Sequence, residues 1–120
     1  MYLIFKDYPL RLLRDIISVA TLWRNMQINE LQAITLLKDG DISGLEYLVT
    51  QYQVKAVQTA FLITGDHSAA EDITQNAFLR AAERIGQFDD QRPFQPWLLR
   101  MVINDALKYA KKQARRTSLE

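Results

Sequence analysis

A chain of 120 residues, 48% hydrophobic and 24% charged, is the size of one small domain and has enough apolar matter for a core. It contains no cysteine, one histidine (His67), four glycines and three prolines. This excludes a disulfide framework and a thiolate metal site, and argues against a histidine-based metal centre, a Ser-His-Asp triad and a turn-rich all-β fold. No metal or cofactor is expected, and the composition disfavours most enzymes. A net charge of +1 hides an asymmetry. Residues 1–96 carry nine basic and twelve acidic side chains, and residues 97–120 carry six basic and two acidic. A near-neutral body with a basic end fits two kinds of partner surface, or equally a solvated helix end.

Near the N-terminus the longest uncharged run, Ile16 to Trp23, has eight residues, far short of the ~20 that span a bilayer. No cleavage signal stands out. A soluble cytoplasmic protein with no membrane partner is expected.

The pattern is helical nearly throughout. Pro9 suits a first helical turn, and Leu13, Ile16, Ile17, Ala20 and Trp23 recur at helical spacing. A short helix carries Leu31, Ile34, Leu36 and Leu37, ends at Lys38 and has Gly40 as C-cap. Ser43 with Glu46 has capping-box form and opens a helix to about Thr64, closed by Gly65-Asp66; Leu45, Leu48, Tyr52, Val57 and Phe61 supply its buried positions. Ser68 with Glu71 repeats the box and opens a helix to about Ile85, closed by Gly86, with Ile73, Ala77, Ala81 and Ile85 facing the core. Pro96 begins a final helix reaching about Arg116. With no strand pattern, the expected class is all-α, a bundle of four to five helices.

On the final helix, Trp97, Arg100, Asn104, Lys108, Lys111 and Arg115 fall within a sector of about 80°. Leu98, Leu99, Val102, Ile103, Ala106, Leu107 and Tyr109 fill the opposite side and are expected to face a core. Lys and Arg neutralise phosphates, Asn can read a base edge and Trp can stack on a base. An ordinary amphipathic helix with a cationic end fits the stripe equally well.

One helix earlier, Asp72, Gln75, Asn76, Leu79 and Arg80 share a face by their spacing. A leucine set among polar groups can dock a partner helix, although a solvated face with one exposed leucine is commoner. The connecting loop, residues 88–95, together with Trp97, brings in three aromatics (Phe88, Phe94, Trp97), Arg92 and stiffening prolines. Such a loop can hold an unstacked base; its rings can also plug a helix corner, the better reading for Phe94. His67 is expected on the surface beside a helix start.

The stretch AEDITQNAFLRAAERIGQFDDQRPFQPWLLRMVINDAL resembles region 2 of the extracytoplasmic-function sigma factors of the sigma-70 superfamily. LLKDGDISGLEYLVTQYQVKAVQTAFLITGDHSA upstream is similar to the start of that region, so the resemblance covers about residues 30–116. It implies a non-enzymatic, all-helical domain that binds core RNA polymerase and recognises and helps melt the promoter −10 element. By resemblance, Asp72, Gln75, Asn76, Leu79 and Arg80 would dock the polymerase β′ clamp coiled coil. The loop with Phe88 and Arg92 would capture a flipped non-template base. Trp97, Arg100, Asn104, Lys108, Lys111 and Arg115 would contact the −10 element and its upstream edge. An anti-sigma factor is a further implied partner.

The chain departs from the family in having Asn76 where an acid is usual and Ile103 where a basic residue often precedes the asparagine. The family's second, −35-reading domain has no counterpart in it. The expected organisation is a helical extension over residues 1–25, a region 2-like domain over 26–117, and a tail over 118–120 whose Leu119-Glu120 reads as a cloning remnant. Two alternatives stand beside this reading: a helical DNA-binding regulator acting without polymerase, and a helical protein-interaction domain.

Overall fold

The computed structural model describes residues 28–119. They form α1 (Glu30–Lys38), α2 (Ser43–Thr64), α3 (His67–Glu83), a 3₁₀ turn (Ile85–Gln87) and α4 (Phe94–Leu119), with no strand among them. The all-α expectation holds. The helix expected over residues 9–23 lies outside the described residues.

The helix starts follow local hydrogen-bond competition. Asn29 caps α1: its Oδ1 accepts from Gln32 N at 2.8 Å, and Gln32 Oε1 accepts from Asn29 N at 2.9 Å. This is a reciprocal box built from Asn and Gln. The box expected at Ser43 and Glu46 does not form. Ile42 is the N-cap and has no polar side-chain atom to give a bond, while the Ser43 hydroxyl is engaged by Asp41, whose Oδ1 accepts from Ser43 N at 2.9 Å and from Ser43 Oγ at 2.8 Å. Ser68 does not cap α3 either. Asp66 does so, accepting from Ala69 N at 3.1 Å, which places Ser68 inside the first turn. Gly65 (φ 67°) is the C-cap of α2 as expected, whereas the C-cap of α1 is Asp39 and the left-handed Gly40 (φ 89°) stands one residue beyond it. Helix α3 ends at Glu83 rather than Ile85, and α4 begins at Phe94 rather than Pro96.

Helix α2 is central and packs on α1, α3 and α4. The core joins Ile34 and Leu37 of α1, Leu45, Leu48 and Val49 of α2, Phe78 of α3, and Phe94, Leu98 and Val102 of α4. Ile73, Ala77, Ala81 and Ile85 are buried as expected. Phe61 is not: it is exposed and stacks on His67, with ring centroids 4.9 Å apart. The apolar arc of α4 is also narrower than expected, since Leu107 at its edge is exposed.

Thr74 is fully buried, and its Oγ1 has no hydrogen-bond partner. Such a hydroxyl costs about 1–3 kcal/mol when left unsatisfied. Thr74→Val keeps the shape and removes the hydroxyl, so it is expected to raise the melting temperature by several degrees in a thermal scan.

Candidate nucleic-acid interface

The loop between α3 and α4 is folded by its own acids. Asp89 Oδ1 accepts from Gln91 N at 3.0 Å, and its carbonyl accepts from Arg92 N at 3.1 Å. Arg92 Nε stands 3.6 Å from Asp89 Oδ2. Two side chains of α1 tie down the ends of the loop. Lys38 Nζ donates to the Phe88 carbonyl at 3.0 Å and lies 3.6 Å from Asp90. Glu30 accepts from the Tyr52 hydroxyl through one oxygen and from Phe94 N, at 3.2 Å, through the other. The carboxylate thereby satisfies an orphan donor at the start of α4. Burial, reinforced by the bond to Glu30, holds the Tyr52 hydroxyl well above its ordinary pKa.

This bracing leaves a cleft of about 430 Å³ lined by Gln87, Phe88, Asp89, Arg92, Trp97 and Arg100, among others, within the size range of small-molecule sites. Phe88, Arg92, Trp97 and Arg100 are therefore brought together, but with different parts to play. Phe88 is only 4% exposed and belongs to the core. Its ring meets Phe94 at 5.7 Å edge-on and Trp97 at 4.8 Å. It forms the back wall of the cleft and is not a free stacking platform, a correction to its expected role. Phe94 is fully buried, as its corner-plug reading required. The half-buried Trp97 is the ring left at the cleft wall.

Arg100, Asn104, Lys108, Lys111 and Arg115 are all exposed along α4. A second, open groove of about 520 Å³ between α3 and α4 gathers Lys108, Lys111, Lys112 and Arg115 with Asn76 opposite. Lys112 joins the basic set although the helical wheel places it beyond the stripe.

The expected docking face on α3 is only partly a surface. Asp72 and Asn76 are exposed and Gln75 is half-buried. Leu79 is 8% exposed and sits in the core cluster, so the exposed leucine expected at the centre of that face is absent. The reason is that α3 packs on α2, α4 and the 3₁₀ turn, which widens its buried arc beyond the Ile73–Ala77–Ala81 stripe. Arg80 Nη2 lies 2.6 Å from Asp105 Oδ2 and ties α3 to α4.

Asp66 links its helix start to α4, accepting from the Tyr109 hydroxyl at 2.7 Å, while Gln113 Nε2 donates to that hydroxyl at 2.9 Å. The Tyr109 bond, followed by the backbone donor of Ala69, lowers the Asp66 pKa below 3.8. A carboxyl depressed by folding lends stability that is present above its unfolded value and is lost as pH falls through the folded one. The wild type is therefore expected to lose melting temperature below about pH 4 more steeply than Asp66→Asn, which keeps the cap but cannot titrate.

Among the described residues no helix is long and apolar enough to cross a membrane, and no cluster of metal-ligating side chains occurs. The family model for sigma-70 region 2 matches residues 48–116, more than half of the chain. The chain belongs to the sigma-70 region 2 family. It is 38% identical over 71 residues to the ECF RNA polymerase sigma factor SigW of Bacillus subtilis, covering 59% of this chain and 38% of that protein. It is 30% identical over 90 residues to the RNA polymerase sigma-H factor of Pseudomonas aeruginosa, covering 75% of this chain and 47% of that protein. The chain thus spans less than half the length of these relatives. Among solved structures it is similar to an engineered region 2 of sigma-E determined in complex with GTAAAA, with TM-score 0.67 and 29% identity, over 75% of this chain and 94% of that one. The likeness is thus to the extracytoplasmic-function branch of sigma factors.

Proposed function

We propose that this sigma-70 region 2 domain, over residues 26–117, binds core RNA polymerase and captures the non-template strand of the promoter −10 element in the cytoplasm. The observation that carries this is the continuity of the braced aromatic cleft with the basic side of α4, Arg100 belonging to both. A duplex-only regulator has no use for a cleft that fits an unstacked base, and a protein-interaction domain has no use for one joined to a phosphate-binding stripe. The similar region 2 of sigma-E, determined in complex with GTAAAA, supports a nucleic-acid partner for this surface.

In this reading the domain supplies binding energy and no bond chemistry. An unstacked base enters beside Trp97, with Arg92 and Arg100 at the rim, and its capture offsets the few kcal/mol of unstacking. Asn104 faces the strand, and Lys108, Lys111 and Arg115 hold phosphates at the upstream edge. Asp72, Gln75 and Asn76, with Arg80 fixed by Asp105, present the surface for the β′ clamp coiled coil; Leu79 supports it from beneath. An anti-sigma factor competes for these surfaces.

The test is holoenzyme assembled from core polymerase and this chain, titrated with single-stranded non-template −10 DNA and with a scrambled strand. Lys108→Ala and Lys111→Ala are expected to weaken both strands alike and to lower the slope of log affinity against log salt by about 0.7 per residue on single strands. Asn104→Ala should reduce only the preference for the −10 strand. Failure of Asp72→Ala with Asn76→Ala to weaken core binding removes the proposed polymerase surface.

A further inference from the structure

The aromatic cleft is lined from the 3₁₀ turn, the loop and the first turns of α4, and no residue of α1 lines it. Yet α1 holds both of its sides. At the C-terminal end of α1, Lys38 Nζ donates to the Phe88 carbonyl at 3.0 Å and lies 3.6 Å from Asp90, on the side that carries Phe88, Asp89 and Arg92. At the N-terminal end, Glu30 accepts from Phe94 N at 3.2 Å and from the Tyr52 hydroxyl, and the Tyr52 ring packs on Phe94 with centroids 5.6 Å apart. Phe94 opens α4, so the place of its N–H sets where Trp97 and Arg100, one and two turns on, reach the cleft. The two ties are eight residues apart, about 12 Å along a helix.

The body of α1 is fixed between them. Ala33, Ile34 and Leu37 are buried, and Gly44 of α2 comes so close to the backbone of Ala33 and Leu37 that a β-carbon there would overlap it. The Lys38–Asp90 pair itself is partly exposed, and such a pair adds little to global stability. What it does is fix a loop to a helix 50 positions away.

We propose that α1 is the spacer of the capture cleft, with Glu30 and Lys38 as positioning residues that set the gap between its two sides before a base arrives. This rests on the reading that the cleft takes an unstacked base, and adds that residues which do not line the cleft preorganise it. A loop already held in place has less freedom to lose on binding, and the difference appears in affinity.

The test uses holoenzyme assembled from core polymerase and the full chain, titrated with single-stranded −10 DNA and with a scrambled strand. Lys38→Met is expected to weaken the −10 strand roughly 3- to 10-fold, to leave the scrambled strand unchanged, and to leave the melting temperature of the free chain nearly unchanged. The slope of log affinity against log salt should stay that of wild type, whereas loss of a direct phosphate contact lowers it by about 0.7. Glu30→Ala orphans the Phe94 N–H and should cause a similar loss of −10 preference. Glu30→Gln should restore it, because its amide oxygen can accept from Phe94 N while its amide nitrogen donates to the Tyr52 hydroxyl, a group that accepts as well as donates. Should Glu30→Ala fail to fold, Lys38→Met carries the test alone. Full −10 preference in Lys38→Met overturns the proposal, as does equal weakening of both strands with a lower salt slope, which makes Lys38 a phosphate contact. Glu30→Gln binding no better than a folded Glu30→Ala overturns it for the α4 side. A wild type with no preference for the −10 strand removes the capture reading itself, and the spacer with it; preference in the wild type that survives both variants removes the spacer alone.

Discussion

Gly44→Ala is expected to destabilise the domain by about 3 kcal/mol, lowering the melting temperature by more than about 10 °C. A β-carbon at this position would lie 2.1 Å from the Ala33 carbonyl oxygen and 2.9 Å from Leu37 N. Both are backbone atoms of α1, so no side-chain rotation relieves the overlap and the two helices must separate. The separation reaches the interface, because α1 holds the Phe88 carbonyl through Lys38 and Phe94 N through Glu30. Below its melting temperature, the variant should bind the −10 strand more weakly than wild type while keeping its helical circular dichroism. Gly86→Ala is the control: nothing stands within 4 Å of the added atom, and its effect should stay within about 0.5 kcal/mol. Equal melting temperatures for the two variants would show that α1 can shift freely and that the close approach does not set the fold.

The helical class, the rough element bounds and the basic stripe of α4 were legible because each is periodic over many residues. Arg100, Asn104, Lys108, Lys111 and Arg115 are exposed where a 100° rotation per residue places them. Features decided by one or two atoms were not legible in this way. Ser43 has the form of a capping residue, but Asp41, two positions earlier, is the stronger acceptor and takes its hydroxyl. Asn29 and Gln32 form the box that Ser and Glu were expected to form elsewhere.

The tertiary ties were hidden for a different reason. Glu30 reaches Phe94 across 64 positions of sequence, and Arg80 reaches Asp105 across 25; no local pattern marks either pair. Leu79 and Phe88 went astray together. Leu79 shares a helical face with polar residues and Phe88 begins a polar loop, yet both are buried where α3 meets the 3₁₀ turn, with Ile85 buried between them in the chain. A periodic reading stops where the helix stops, and this corner is where α3 ends.

That corner separates two aromatic substitutions that the sequence alone would treat alike. Phe88→Ala is expected to act on the fold. The ring is buried against Phe94 and Trp97, and removing a buried phenylalanine costs about 3–5 kcal/mol, so its main effect should be a large loss of melting temperature. Trp97→Ala is expected to act on the strand. Its indole is half-buried at the cleft wall, and loss of a base-stacking ring is worth about 1–3 kcal/mol, or roughly 5- to 150-fold in affinity for single-stranded −10 DNA. Some stability is lost too, since Trp97 packs on Phe88 and, at 5.7 Å, on Phe94. Both measurements therefore belong on the same samples, binding at low temperature in holoenzyme and melting of the free chain. If Trp97→Ala binds the strand as tightly as wild type while folded, the cleft holds no base and the reading of this interface fails. If Phe88→Ala melts like wild type but loses the strand, the ring leaves the core to meet the base, and the back wall of the cleft is mobile in the bound state.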